Sequence, residues 1–270
     1  MLDLLAKHDL PATFFVIGRN IDRDTYPLVQ RIVAEGHTLG THSYSHDVHM
    51  TRVVAPEASH DDIVGQHRVT TMLVDLALLA TSGDDFDAMV VEVFESSPAS
   101  WLSARTIREG HDRFAVRHAA LLAARGFAAG TRPHDVLYSR PPGGGPYVQH
   151  DGSAGMKIHD RALAELGLLN VMWHDASGDT VPGQRGDFAF LTGNMARAAE
   201  SGGVLLVHDY IRPDALAHAL AAMATSDAVR VVPIEEAVEH KFGCSSRDLA
   251  ASLRVAPAGT ETADAARASR

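Results

Sequence analysis

The chain has 270 residues, 46% of them hydrophobic, with 24 Lys and Arg against 34 Asp and Glu and a formal net charge of −10. That length admits one large α/β domain or two small ones, and the acidic balance excludes an electrostatic grip on nucleic acid or an anionic membrane, both of which need a basic patch. One cysteine, Cys244, excludes an internal disulfide, and no stretch reaches the ~18 apolar residues needed to span a bilayer.

In chain order, MLDLLAKH reads as a helix by its apolar spacing, too short and too charged for a signal peptide, so the chain reads as a soluble protein without an export signal. ATFFVI (12–17) is a continuous apolar run of the kind found in a strand covered on both faces. YPLVQRIVAEG (26–36) is a helix closed by Gly36, and a strand then runs into TLGTH. Between His46 and Arg140 lie 93 residues in which 59–80 and 100–126 read as helices and TSGDDFDAMVVEVFESSP as a connector of unassigned state. This stretch reads as an insertion, a helical lid or subdomain. Strands VLYSR (136–140), LNVMW (169–173), GVLLVH (203–208) and VRVVPI (229–234) follow, separated by helices at 160–167, 188–200 and 213–224. Six strands alternating with helices predict a parallel α/β fold, most simply a barrel. The tail 244–270 has no aromatic residue, is rich in Ala, Ser and Thr, and reads as frayed or disordered.

The polar candidates fall at one kind of place. His42, Arg140, Asp175, Asp179 and His208 all sit at or just after predicted strand ends, where parallel barrels build active sites. His42 and His46 form an H-x3-H pair suited to zinc, and the hydroxyls of Ser43 and Ser45 can fix the turn between them. Each feature has a plainer reading: a solvated loop in a chain with 16 histidines, a simple turn at Arg-Pro-Pro-Gly, a strand cap at His208, loop acids at Asp175 and Asp179. Their order along the chain carries the stronger reading.

The run MLDLLAKHDLPATFFVIGRNI, continuing through YPLVQRIVAEGHTLGTHSYSH, closely resembles the polysaccharide deacetylase family, the NodB-homology carbohydrate esterases. The likeness continues in RPPGG (140–144), WHDASGD (173–179) and VLLVHD (204–209), covering roughly 1–50 and 130–243. The resemblance implies a distorted (β/α) barrel domain over 1–243, interrupted by an insertion at about 52–128, and removal of acetyl groups from N-acetylated glycans such as chitin-like oligomers or peptidoglycan. It implies His42 and His46 as ligands of a divalent metal, most simply zinc, which lowers the pKa of bound water from 15.7 toward about 7. It further implies His208 as general acid oriented by Asp179, Arg140 as a catalytic-site arginine, an oxyanion donor near Gly143, and a substrate pocket with Leu206, Trp173 and Asp175. The partner is then a glycan, and family members are often exported or bound to the cell envelope.

The sequence departs from the family at its start. The family's first motif, a Thr-Phe-Asp-Asp-Gly-Pro segment ending the first strand, supplies the catalytic base and the third metal ligand, and it is missing before the helix at Met1. The expectation is a barrel lacking its first strand, from a start placed too late or a truncated gene, with Arg140 unpaired; Asp61, Asp62 and Asp84 of the insertion are the acids available to replace the lost carboxylate. Gly143 and Thr180 stand where the family commonly carries aromatic residues. The competing readings are a catalytically inactive glycan-binding member, an unstable fragment, and an esterase acting on O-acetyl groups.

Overall fold

The computed structural model describes residues 1–50, 56–97, 100–148 and 152–254. Helix α1 (Leu2–His8) buries Leu2 and Leu5, places Asp3 in its first turn and Lys7 and His8 in its last, and stops at a left-handed Asp9. Strand β1 (Thr13–Val16), helix α2 (Tyr26–Ala34) and strand β2 (Thr38–Thr41) form a β-α-β unit in which Thr13 pairs with Thr38 and Val16 with Thr41. Strands β3 (Tyr138–Ser139) and β4 (Leu169–Asn170) complete a parallel sheet in the order β1-β2-β3-β4. A second parallel pair, β5 (Asp175–Ala176) and β6 (Leu205–Leu206), lies beyond it. The hydrogen-bonded ladder is open between β4 and β5 among the described residues, so the barrel of the sequence reading is a parallel α/β arrangement whose ladder does not close.

The stretch read as an insertion, a lid or subdomain, packs closely on the rest of the chain. Helices α3 (Pro56–Leu79), α4 (Gly83–Phe94) and α5 (Ala104–Ala124) follow one another, and α3 packs on α2, α5, β2 and on α6 (Gly152–Leu166). Ile63, Val69, Leu76 and Ala77 of α3 are fully buried. A helix buried around most of its circumference is a core helix, not a flap over solvent. The connector of unassigned state is α4, whose Ser82 side chain caps Asp85 N and whose Phe86, Met89 and Val93 enter the main core, each such burial contributing about 1.5–3 kcal/mol.

Two further expectations change at the C-terminal side. VRVVPI forms no strand; Pro233 has no N–H to give a ladder and instead caps α9 (Ile234–Phe242). The strand missed is β5, two residues long and too short to show a period. Helices α7 (Phe188–Ser201) and α8 (Pro213–Thr225) enclose β6 in a second core with Leu5, Leu191, Met195 and Leu216. The tail begins with a helix, α10 (Ser246–Arg254), because Ala250 packs with Tyr138 and Leu169 and Ser246 meets the Tyr138 hydroxyl; 255–270 lie outside the described residues. No helix among the described residues is long and apolar enough to cross a membrane.

Behind the sheet lies a polar row. Thr41, Ser139 and Asn170 are in register across β2, β3 and β4; Thr41 Oγ1 meets His67 Nδ1 of α3 at 3.1 Å, and the His67 ring meets that of His159 of α6 edge-on. Tyr147 gives its phenol proton to Asp160, so His159 meets the phenol oxygen as donor through Nδ1 at 2.9 Å, and its Nε2 has no partner among the described residues. Burial pushes His159 down to about 4 and His67 well below its ordinary range. The unfolded chain protonates His159 near 6.5 and the folded chain only near 4. Unfolded molecules therefore bind more protons in that window, and stability falls as pH drops through it, by about 3 kcal/mol for His159. Urea midpoints at pH 7 and 4.5 should converge for His159→Gln relative to the unsubstituted chain; equal pH dependence of the two would refute this assignment.

Candidate active site

The site grows from the end of β2. Gly40 has no side chain because the ring of Phe15 lies where a Cβ would be, 2.6 Å away. With Phe15 flat against the strand, the Arg140 guanidinium stacks on it at 4.3 Å, and on Trp173 at 5.8 Å. Arg140 is buried, donates to the Val171 carbonyl at 2.9 Å, and is lowered to about 10 by burial. Carbonyls and aromatic faces hold it, and among the described residues no carboxylate pairs with it.

His42 follows β2 directly. Its backbone N–H donates to the Val16 carbonyl at 2.8 Å and its Nδ1 donates to the Arg140 carbonyl at 2.7 Å, which leaves Nε2 as the free nitrogen. The turn to His46 is strained: Ser43 and His46 have φ of 64 and 56, a conformation costing about 1–3 kcal/mol per non-glycine residue. Ser43 Oγ accepts from His46 N at 3.1 Å, as the sequence suggested. Ser45 Oγ turns elsewhere, to Gln66 of α3, whose Oε1 also accepts the N–H groups of Tyr44 at 3.0 Å and Ser45 at 2.8 Å. The insertion thus holds the strained turn in place. The two imidazoles end with ring centroids 4.8 Å apart.

Burial pushes His42 down to about 4, outweighing its bond to the Arg140 carbonyl, and His46, Arg140 and His208 add in the same direction. His46 is lowered by burial, then by Arg19 and His208. Both rings are therefore neutral at neutral pH, the form that binds a metal. The Nδ1 bond of His42 is the outer-shell contact that orients a ligating imidazole. These features fit two positions of a zinc site. Among the described residues no third His, Cys, Asp or Glu joins them, so the donor set is not a complete site. The insertion acids are committed elsewhere: Asp84 to Arg23 at 2.8 Å, Asp62 to Arg108 at 3.1 Å, and Asp61 beside His60 at 3.3 Å.

The other half comes from the second sheet. Leu205 and Val207 pack on the α7–α8 core, so alternation sends Leu206 and His208 to the opposite side. Asp179 is buried, and its Oδ1 accepts from His208 Nδ1 at 2.8 Å while Oδ2 accepts from His208 N at 2.7 Å. Burial raises the Asp179 carboxyl, but the bonds from His208 hold it below the usual carboxylate range. This fixes the imidazole with Nε2 outward. Tyr210, unnoticed in the sequence, stacks on His208 with centroids 5.1 Å apart and is itself under Arg185. Gly143 sits exposed at φ 62 in the turn after Arg140, and the neighbouring Gly144 admits the edge of Trp173. Asp175 shares its side with its register partner Leu205, away from the side that carries His208.

Gln66→Leu is expected to strip the His42–His46 turn of its acceptor and leave two inward N–H groups unpaired, a loss of about 1–3 kcal/mol. Urea denaturation measures it; an unchanged midpoint would show that the turn holds itself.

The profile of the polysaccharide deacetylase family matches residues 1–72. A chitooligosaccharide deacetylase of Rhizobium leguminosarum bv. trifolii is 48% identical over 46 residues, 17% of this chain and 21% of that protein. A peptidoglycan-N-acetylglucosamine deacetylase of Bacillus cereus is 47% identical over 47 residues, 17% of this chain and 16% of that one. The matched stretches thus span well under half the length of these relatives. In fold, the chain is similar to the Xyl-CE4 domain of a multidomain xylanase from the hindgut metagenome of Trinervitermes trinervoides, with TM-score 0.55 and 17% identity over 91% of this chain and 84% of that one. It is also similar to a CE4 family pseudoenzyme from Bacillus anthracis, with TM-score 0.53 and 18% identity over 87% of this chain and 58% of that one. Residues 1–72 thus match the polysaccharide deacetylase family in sequence, and the parallel α/β fold of the chain is similar to that of CE4 proteins.

Proposed function

We propose that this site removes acetyl groups from N-acetylated glycans, with His208 as general acid. The observation that carries the reading is that two sets of groups far apart in sequence both stand at the ends of parallel strands: the His42–His46 pair after β2, with ring centroids 4.8 Å apart, and the Asp179–His208 dyad after β5 and β6, joined at 2.8 Å. In this reading Asp179 orients the His208 ring, and protonated Nε2 gives its proton to the departing amine nitrogen as the acyl C–N bond breaks. Arg140 places positive charge beside the site, a backbone N–H near Gly143 serves the oxyanion, and Leu206 and Trp173 line the wall against which the acetyl group rests. His42 and His46 would give two imidazoles to a divalent cation, zinc by donor softness, with a further ligand from outside the described set. Such a cation, when bound, polarises the acetyl carbonyl and acidifies water.

A second reading, glycan binding without turnover, is favoured by the same incomplete donor set and by the absence of a carboxylate partner for Arg140 among the described residues. Acetate release from N-acetylglucosamine oligomers, with zinc or cobalt added, separates them. Release supports the hydrolase; oligomer binding with no acetate under any metal supports the binding protein and overturns the first reading.

A further inference from the structure

A cavity of about 240 Å³ lies between α3, α5 and the segments leading into β3 and β4. Met72, Ala115, Val136, Leu166 and Leu168 make its apolar wall, and no Asp or Glu lines it. Its polar wall is His67, Arg68, Thr71, His118 and Arg132. This wall is short of acceptors. His67 is fully buried, its Nδ1 meets Thr41 Oγ1 at 3.1 Å, and Nε2, across the ring, has no partner among the described residues. His118 is buried too, and its Nε2 stands 3.2 Å from Asp75 Oδ2 without a hydrogen bond. Arg68 gives Nη1 to His111 and Asp112 and Nη2 to Glu165, while Arg132 gives Nε to Asp75 and Nη2 to the Thr71 carbonyl. Arg68 Nε and Arg132 Nη1 have no acceptor among the described residues.

We propose that this cavity binds a small organic carboxylate with a short apolar chain, its head on Arg68, Arg132 and His67 Nε2 and its chain on the apolar wall. The inference stands apart from the glycan reading. With the Thr41 hydroxyl donating to Nδ1, His67 carries its ring proton on Nε2, so all three groups are donors. Both arginines already have carboxylate partners outside the lining, Asp112 and Glu165 for Arg68 and Asp75 for Arg132. Recognition therefore comes from directed N–H groups more than from net charge, and each guanidinium has five of them. An inorganic oxyanion would satisfy the donors but leave five apolar side chains facing water. A wholly apolar ligand would leave His67 Nε2 buried and unpaired, which costs about 1–3 kcal/mol. His67 also ties the cavity to Thr41, the residue before His42.

The test is calorimetric titration of the full chain with hexanoate, hexanamide and acetate. Hexanoate should bind one to one, and hexanamide about tenfold more weakly for want of the charge. Acetate should also be weaker by about tenfold or more, since each buried methylene is worth about fourfold. Ala115→Phe, which fills the cavity, should abolish hexanoate binding. Arg68→Gln removes a partly exposed donor and should weaken binding by about tenfold, which keeps the test readable if the filled variant does not fold. Undiminished hexanoate binding by Arg68→Gln places the ligand elsewhere and overturns the proposal. So does the absence of binding by the unsubstituted chain, and equal affinity for hexanoate and hexanamide refutes the carboxylate head.

Discussion

Asp179→Asn is expected to lower acetate release by roughly 10²–10⁴-fold, the range a positioned general acid contributes. The carboxylate does two things that an amide cannot do together: it accepts from both the Nδ1 and the backbone N of His208, at 2.8 and 2.7 Å, and it carries the charge that stabilises the imidazolium. Asparagine keeps the shape and loses the charge, so oligomer affinity should stay within about twofold to threefold while turnover falls. The alkaline limb of the pH–rate profile, which reports loss of the acid's proton, should change with it. Acetate release within a few-fold of the unsubstituted chain would remove His208 from the role of acid.

Arg132→Met is expected to cost about 3–5 kcal/mol of stability, the loss typical of a buried ion pair broken on one side. Asp75 of α3 is fully buried; Arg132 Nε donates to its Oδ2 at 2.8 Å, and His118 of α5 stands 3.2 Å from the same oxygen. Arg132 also donates to the Thr71 carbonyl at 2.7 Å. It is partly open to solvent, but the carboxylate is not, and the stranded carboxylate sets the cost. Replacing both partners, Arg132→Met with Asp75→Leu, should restore most of the loss, because removing both charges removes the desolvation penalty as well as the attraction. Guanidinium midpoints distinguish the two. A single-variant loss under about 1 kcal/mol would mean that water reaches Asp75.

The pair joins the insertion to the segment leading into β3, and so to Arg140. That link spans 57 residues of sequence, and nothing in the local pattern around Asp75 marks it. Much of the insertion was legible as helix and none of it as support. The amphipathic spacing of 59–80 showed a helix but not that its Gln66 would hold the Tyr44–Ser45 turn or that its apolar sides would all be covered. Tyr210 was likewise silent, because an aromatic residue in a loop carries no period.

By itself the sequence determined what is local. H-x3-H sets the His42–His46 spacing, Gly40 admits Phe15, apolar runs make the parallel strands, and the N-terminal run through His46 carries the family resemblance. Only the tertiary structure decided what depends on distant partners: that Arg140 gives its carbonyl to His42 across 98 residues, that 229–234 finds no ladder while 175–176 does, and that α3, in the stretch read as a lid or subdomain, enters the main core. A strand or a catalytic pair exists when its partner arrives. Which segments arrive is settled by the burial of the whole apolar surface, not by any window of the chain.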